Sequence, residues 1–200
     1  MNKKEQIAKI FSDEMISGTV TTQEELGEAF SRYPNISKTY IQTALYWKDT
    51  RKWYEENWPK VFKYLDKDFL DRFRMEEEHY ARAWEFHLAS VLLDNGLELE
   101  EKTWETGPDF CIKTSTGKKI WVEAITCDRG DVDPVEPYPE MKSGQIYSFG
   151  GNIEDTHRPR ALRITNAIGT KFEKFKKYLS DLKSGVGKND CLLIAINGGA

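Results

Sequence analysis

The chain has 200 residues, 31% of them charged and 39% hydrophobic, with a formal net charge of −4 at pH 7. That balance fits one globular domain, or one domain with a helical extension, and excludes a fibrous or low-complexity chain. No apolar run approaches the roughly 18 residues of a membrane span, and the start, Met1-Asn2-Lys3-Lys4-Glu5-Gln6, lacks the apolar segment of a signal peptide. A cytoplasmic protein is therefore expected. Cys111, Cys127 and Cys191 are scattered with no CxxC pair, so a zinc ribbon is not expected and the thiols read as reduced.

The first 80 residues have helical patterning. Ile7, Ile10, Phe11, Met15 and Ile16 share a helical spacing that Gly18 would stop. Thr22 with Glu25 forms a capping-box start for a helix over Gln23–Arg32. A third helical stretch covers Ser37–Trp47, and a fourth is rich in aromatics from Trp53 to Phe69. The second and third helices, joined by Tyr33-Pro34-Asn35-Ile36, have the spacing of a helix-turn-helix. Only Lys38 and Lys48 give the second of them positive charge, which is thin for phosphate contacts.

From about residue 76 the pattern changes. A helix runs to Asn95-Gly96, a good C-terminal stop. Short strands follow at Leu97–Lys102, Phe110–Lys113 and Ile120–Thr126. A long irregular stretch, Cys127 to His157, carries Pro134, Pro137, Pro139, Gly144, Gly150 and Gly151; loops of that length are usually functional or disordered. A helix over about Pro159–Lys183 and a buried strand, Cys191–Ile196, complete the chain. The order helix, three strands, helix, strand predicts an α/β unit with a mixed sheet, the last helix crossing over into a parallel strand. The expected division is a helical N-terminal extension, 1–75, and an α/β core, 76–200.

The chemistry concentrates on the hairpin. A three-residue loop, Ser115-Thr116-Gly117, with Gly117 left-handed, pairs Lys113 with Lys119 and, counting outward, Asp109 with Glu123. Opposed residues have Cβ atoms about 5 Å apart. Two carboxylates that close repel unless a cation or a shared proton relieves them, and Mg²⁺ or Mn²⁺ suits such a pair. Glu123 also lies inside an apolar run, Ile-Trp-Val-Glu-Ala-Ile, where an unpartnered carboxylate is costly.

Two helices aim charge inward. Glu85 interrupts the apolar stripe Ala81, Trp84, Leu88, Leu92; it is either paired with an arginine such as Arg82 or Arg160, or a third acid at the metal site. On the crossover helix, Ile164, Ile168, Phe175, Tyr178 and Leu182 make one face. Lys171 falls near its centre, whereas Lys174, Lys176, Lys177 and Lys183 fall off it. Lys171 is either a snorkelling side chain or a cation directed at the carboxylates. Between Arg158 and Lys188 there are nine Lys/Arg and two Asp/Glu, which is either a local basic patch suited to phosphates in an otherwise acidic chain or a solvated helix face. His157 is a further candidate for a catalytic role, with a surface histidine as the plainer alternative.

Gly107-Pro108-Asp109, thirteen intervening residues, and Glu123 within Val122-Glu123-Ala124-Ile125 resemble the PD-(D/E)XK nuclease superfamily, the restriction-endonuclease-like fold, over about residues 76–200. The resemblance includes a preceding helix with an inward glutamate, here Glu85. It implies a mixed central sheet flanked by helices, with Mg²⁺ bound by Asp109 and Glu123 and assisted by Glu85. It departs where the family's lysine should stand two residues after the glutamate, because that position is Ile125. In several branches a neighbouring helix supplies the lysine, and Lys171 is the residue here that would substitute. The expectation is a metal-dependent nuclease acting on nucleic acid, DNA before RNA, with Asp109, Glu123, Lys171 and Glu85 as its catalytic set. The alternatives are an inactive nuclease-like binding module and a helix-turn-helix regulator.

Overall fold

The computed structural model of the protein describes residues 8–16, 20–127 and 153–197, the side chains of 13, 16 and 153–160 excepted. Chain order gives α1 (Asp13–Ile16), α2 (Gln23–Arg32), α3 (Lys38–Leu45), α4 (Lys48–Val61), a 3₁₀ turn (Phe62–Tyr64), α5 (Phe69–Phe73), α6 (His79–Asp94), β1 (Phe110–Lys113), β2 (Lys119–Thr126), α7 (Ile153–Tyr178) and β3 (Cys191–Asn197). It is an α/β fold with a three-stranded mixed sheet in the order β1-β2-β3, β1 antiparallel and β3 parallel to β2. No helix among the described residues is long and apolar enough to cross a membrane.

The N-terminal helices begin where local chemistry says they should. Thr22 accepts from the Glu25 amide while the Glu25 carboxylate accepts from the Thr22 amide, a complete capping box. Ser37 caps α3 by accepting from Tyr40 N. The first apolar run differs from its periodicity: residues 8–12 are not helical, and only Asp13–Ile16 forms a turn of helix. Ile10, Phe11 and Met15 are buried all the same, so these side chains serve as anchors in a common core rather than as a helix face. The aromatic stretch divides into α4, the 3₁₀ turn and α5. Its rings close on α6, with Tyr54 and Phe86 at 4.8 Å between centroids and Phe73 stacked on His79 at 4.7 Å.

In α3, Tyr40, Ile41, Thr43, Ala44 and Leu45 are buried. The second helix of the helix-turn-helix spacing thus turns most of its length inward, which accounts for its apolar composition. One buried cluster runs from Ile10 to Ala124, taking in the N-terminal helices, α6 and one face of the sheet. The apolar core is therefore continuous across residue 75.

The hairpin forms in the expected register, Lys113 opposite Lys119 and Phe110 opposite Val122, with Gly117 at φ 77° closing the turn. Leu97–Lys102 does not form a full strand. It makes one bridge, Leu99 to Ile112, with Glu100 N donating to Cys111 O and Lys113 N to Glu98 O. Glu98, Glu100 and Glu101 instead pair with Lys113, Lys119 and Lys63, so this segment alternates core and charge as a frayed edge does.

β3 is also an edge, with Cys191 and Leu193 exposed. Its continuous apolar run had implied burial on both faces, but only β2 pairs with it among the described residues. The crossover helix starts six residues before Pro159 and ends at Tyr178. The Tyr178 carbonyl accepts from Ser184 Oγ, and Leu182, lying past the helix end, is fully exposed rather than part of its inner face. Of the long stretch Cys127–His157, residues 128–152 lie outside the described residues. His157 falls within α7, its side chain also outside them.

Candidate active site

Alternation along β2 sends Ile120, Val122 and Ala124 into the large core and Trp121 to the opposite face. Glu123, two residues on from Trp121, shares that opposite face. There α7 covers the sheet, with Phe175 and Tyr178 packed against Trp121 and Cys111. The chain reaches β1 through Gly107, whose φ of 153° and 2.8 Å approach of an added Cβ to Trp104 Cδ1 leave no room for a side chain. Trp104 then fixes the entry: its Nε1 donates to Pro108 O at 2.9 Å and its ring meets Trp121 edge-on at 5.1 Å. This holds Asp109 just ahead of β1, one residue beyond the Phe110–Val122 pair. Asp109 Oδ2 accepts from the Ala124 amide at 2.7 Å, so the hairpin backbone itself orients that carboxylate.

Glu123 is 1% exposed. Its Oε2 accepts from Lys171 Nζ at 2.5 Å, while Oε1 is buried with no hydrogen-bond partner. Burial, then the Asp109 charge, raises its pKa above the ordinary carboxylate value, against the pull of Lys171 and Lys174. A buried carboxylate oxygen without a donor, beside a second carboxylate, is a natural acceptor for a cation.

Glu85 is buried on α6 and is held by Arg82 at 2.7 Å. Arg82 also meets Asp66 and Glu78, each at 3.5 Å. Burial, then the charge of Asp109, pushes Glu85 up to about 8 although Arg82 and Lys102 pull the other way. Glu85 thus senses Asp109 electrostatically while its direct partner is an arginine. Of the two arginines named from sequence, Arg82 is that partner; the Arg160 side chain lies outside the described residues. Among the described residues no group of three or more His, Cys, Asp or Glu side chains stands ready to hold a metal. The cation-binding fit rests on Asp109 and Glu123.

One neighbour escaped the sequence. Lys174, one helical turn past Lys171, lies close enough to feel both Glu123 and Asp109, its ammonium 5.6 Å from the Tyr178 ring centroid. Helical angle put Lys174 off the inner face, but a four-carbon stem spans more than the angle allows. A residue three positions from an inward lysine, ahead of a tyrosine at i+4, was the signal available.

A groove of about 740 Å³ opens elsewhere, between α4 and α6, lined by Asp49, Trp53, Tyr80, Trp84 and His87 among others. None of Asp109, Glu123, Lys171 and Glu85 lines it. Charge, rather than concavity, marks the site on the α7 face. Comparison with protein-family models, with curated proteins and with solved structures gave no match.

Proposed function

We propose that the protein is a metal-dependent phosphodiesterase acting on nucleic acid, DNA before RNA, built on a restriction-endonuclease-like core. The observation that carries this reading is the meeting of three groups: Asp109, whose carboxylate accepts from the Ala124 amide, Glu123 beside it on β2, and Lys171 Nζ delivered to Glu123 from the crossover helix at 2.5 Å. Ile125 occupies the usual place of the family's lysine and is buried, and Lys171 supplies the cation from another element.

Asp109 and Glu123 would hold a Mg²⁺ or Mn²⁺ ion, with Glu85 and its Arg82 partner behind them on α6. Such an ion supplies charge neutralisation at a scissile phosphate and a more acidic bound water. Lys171, tied to Glu123, keeps an ammonium next to the reacting phosphate, where it stabilises negative charge that grows in the transition state. Raising the Glu123 pKa has a clear consequence: protons and metal compete for it, so metal binding strengthens as pH rises.

The test is cleavage of plasmid and of single-stranded DNA with Mg²⁺ or Mn²⁺ by the wild type, Asp109→Ala, Glu123→Ala and Lys171→Ala, with circular dichroism as the control for folding. Loss of metal-dependent cleavage in each folded variant is expected. Full activity in any folded variant removes that residue from the mechanism. The competing reading, a nuclease-like binding module without catalysis, draws on the direct Lys171–Glu123 pair, which satisfies one carboxylate oxygen without metal. Calorimetric titration decides between them: no heat with either ion favours the binding module.

A further inference from the structure

Lys171 and Lys174 stand in different chemical states although one turn of α7 separates them. Lys171 is committed to Glu123. Lys174 makes no ion pair among the described residues, and its ammonium rests against Tyr178 while its side chain reaches solvent. Lys176 pairs with Glu173 and Lys183 with Glu105, so those two basic residues of the patch are already partly neutralised. The body of Tyr178 is 7% exposed and packs with Phe175 on Trp121. It therefore gives Lys174 a fixed floor, with a hydroxyl beside the ammonium. A cation beside an aromatic hydroxyl on a rigid platform offers an anion both a charge and a donor.

We infer that Lys174 and Tyr178 form a phosphate seat for a polynucleotide, holding the phosphodiester next to the one positioned at Asp109, Glu123 and Lys171. The ammonium takes the phosphate charge and the Tyr178 hydroxyl donates to one of its oxygens. This deepens the nuclease reading and rests on it: the seat would set the register of the backbone, and Lys174 would act in binding rather than in the chemical step.

The experiment is fluorescence anisotropy of a short fluorescein-labelled DNA, single-stranded and duplex, without added metal, across about 50 to 200 mM NaCl. The slope of log affinity against log salt counts phosphate charges neutralised, about 0.7 per contact on single strands and 0.9 on duplex. Lys174→Ala is expected to reduce the slope by about that amount and to weaken binding at low salt, whereas Lys174→Arg restores the slope. Tyr178→Phe is expected to weaken binding with the slope unchanged, because it removes a donor and no charge. Lys52→Ala, exposed on α4 and paired with Glu56, should match the wild type. If the wild type binds and Lys174→Ala has the wild-type slope, the seat is refuted while the nuclease reading stands. If the wild type binds neither DNA at any salt, the seat is refuted, and the nuclease reading is decided separately by the cleavage assay with Mg²⁺ or Mn²⁺.

Discussion

The two faces of the sheet solve the burial problem in opposite ways. On one face β1 and β2 join α6 and the N-terminal helices in a core dominated by rings, with Phe86 fully buried among Trp53, Tyr54, Trp58 and Phe69. On the other, α7 covers a small apolar cluster, Cys111, Trp121, Phe175 and Tyr178, and beside it a carboxylate–lysine pair. Apolar packing is non-directional and additive. A buried ion pair is directional, and its desolvation roughly offsets its attraction. The first face therefore supplies stability and the second gives some of it up for a charged arrangement that apolar residues of the same volume would not need.

That contrast is open to direct attack. The largest effect is expected from Phe86→Ala, about 3–5 kcal/mol of destabilisation from lost transfer free energy and an unfilled cavity. Urea unfolding followed by circular dichroism measures it. A loss below about 1 kcal/mol would mean that the aromatic face does not dominate stability. Next comes Lys171→Met, which leaves Glu123 buried and uncompensated at a cost of about 3 kcal/mol. The double variant Glu123→Gln, Lys171→Met should recover most of that loss, since no buried charge remains. Failure to recover would show the pair to be a net stabiliser and erase the difference between the faces.

A third prediction concerns pH. Glu85 is raised to about 8 in the folded state, so the folded protein holds a proton that the unfolded chain releases at the ordinary carboxylate value. Stability linked to this group is fully present below that ordinary value and is lost as pH rises through about 8. Glu85→Gln cannot titrate and should flatten that part of the curve. Urea midpoints for wild type and Glu85→Gln at both ends of the window check it. Equal slopes would place the Glu85 proton elsewhere, with Arg82 holding the carboxylate ionised.

How legible this was depended on whether the determining interaction was local. The capping box at Thr22, the turn at Gly117 and the Lys113–Lys119 register follow from neighbours within a few residues, and each stands as spacing implied. The inward turn of Lys171 was legible from helical angle, because its apolar neighbours fix which side of α7 meets the sheet. Lys174 was not, since its position depends on Tyr178 and on the length of its own stem. Nor was the choice of Arg82 for Glu85, where the sequence left two arginines and a metal open. The partial exposure of β3 and the single bridge at Leu99 depend on what lies beside a strand, which periodicity within it does not encode.

The smallest expected effect tests whether the two faces belong to one cooperative unit. Thr22→Ala removes one half of the α2 capping box and should cost about 1 kcal/mol. Thr22 is exposed and far in sequence from β2, but α2 buries Leu26 and Ala29 in the cluster that extends to Val122 and Ala124. If that continuous core makes unfolding all-or-none, the loss is felt globally. Amide hydrogen exchange in β2 should then accelerate about fivefold, matching the shift in the urea midpoint. If the helical segment opens alone, exchange accelerates in α2 and α3 while β2 amides keep wild-type protection. The first outcome makes 1–75 an integral wall of the sheet, so that mutations in its aromatic core would disturb Asp109 and Glu123 indirectly. The second makes it a separable layer, and confines such effects to α6 and the residues it carries.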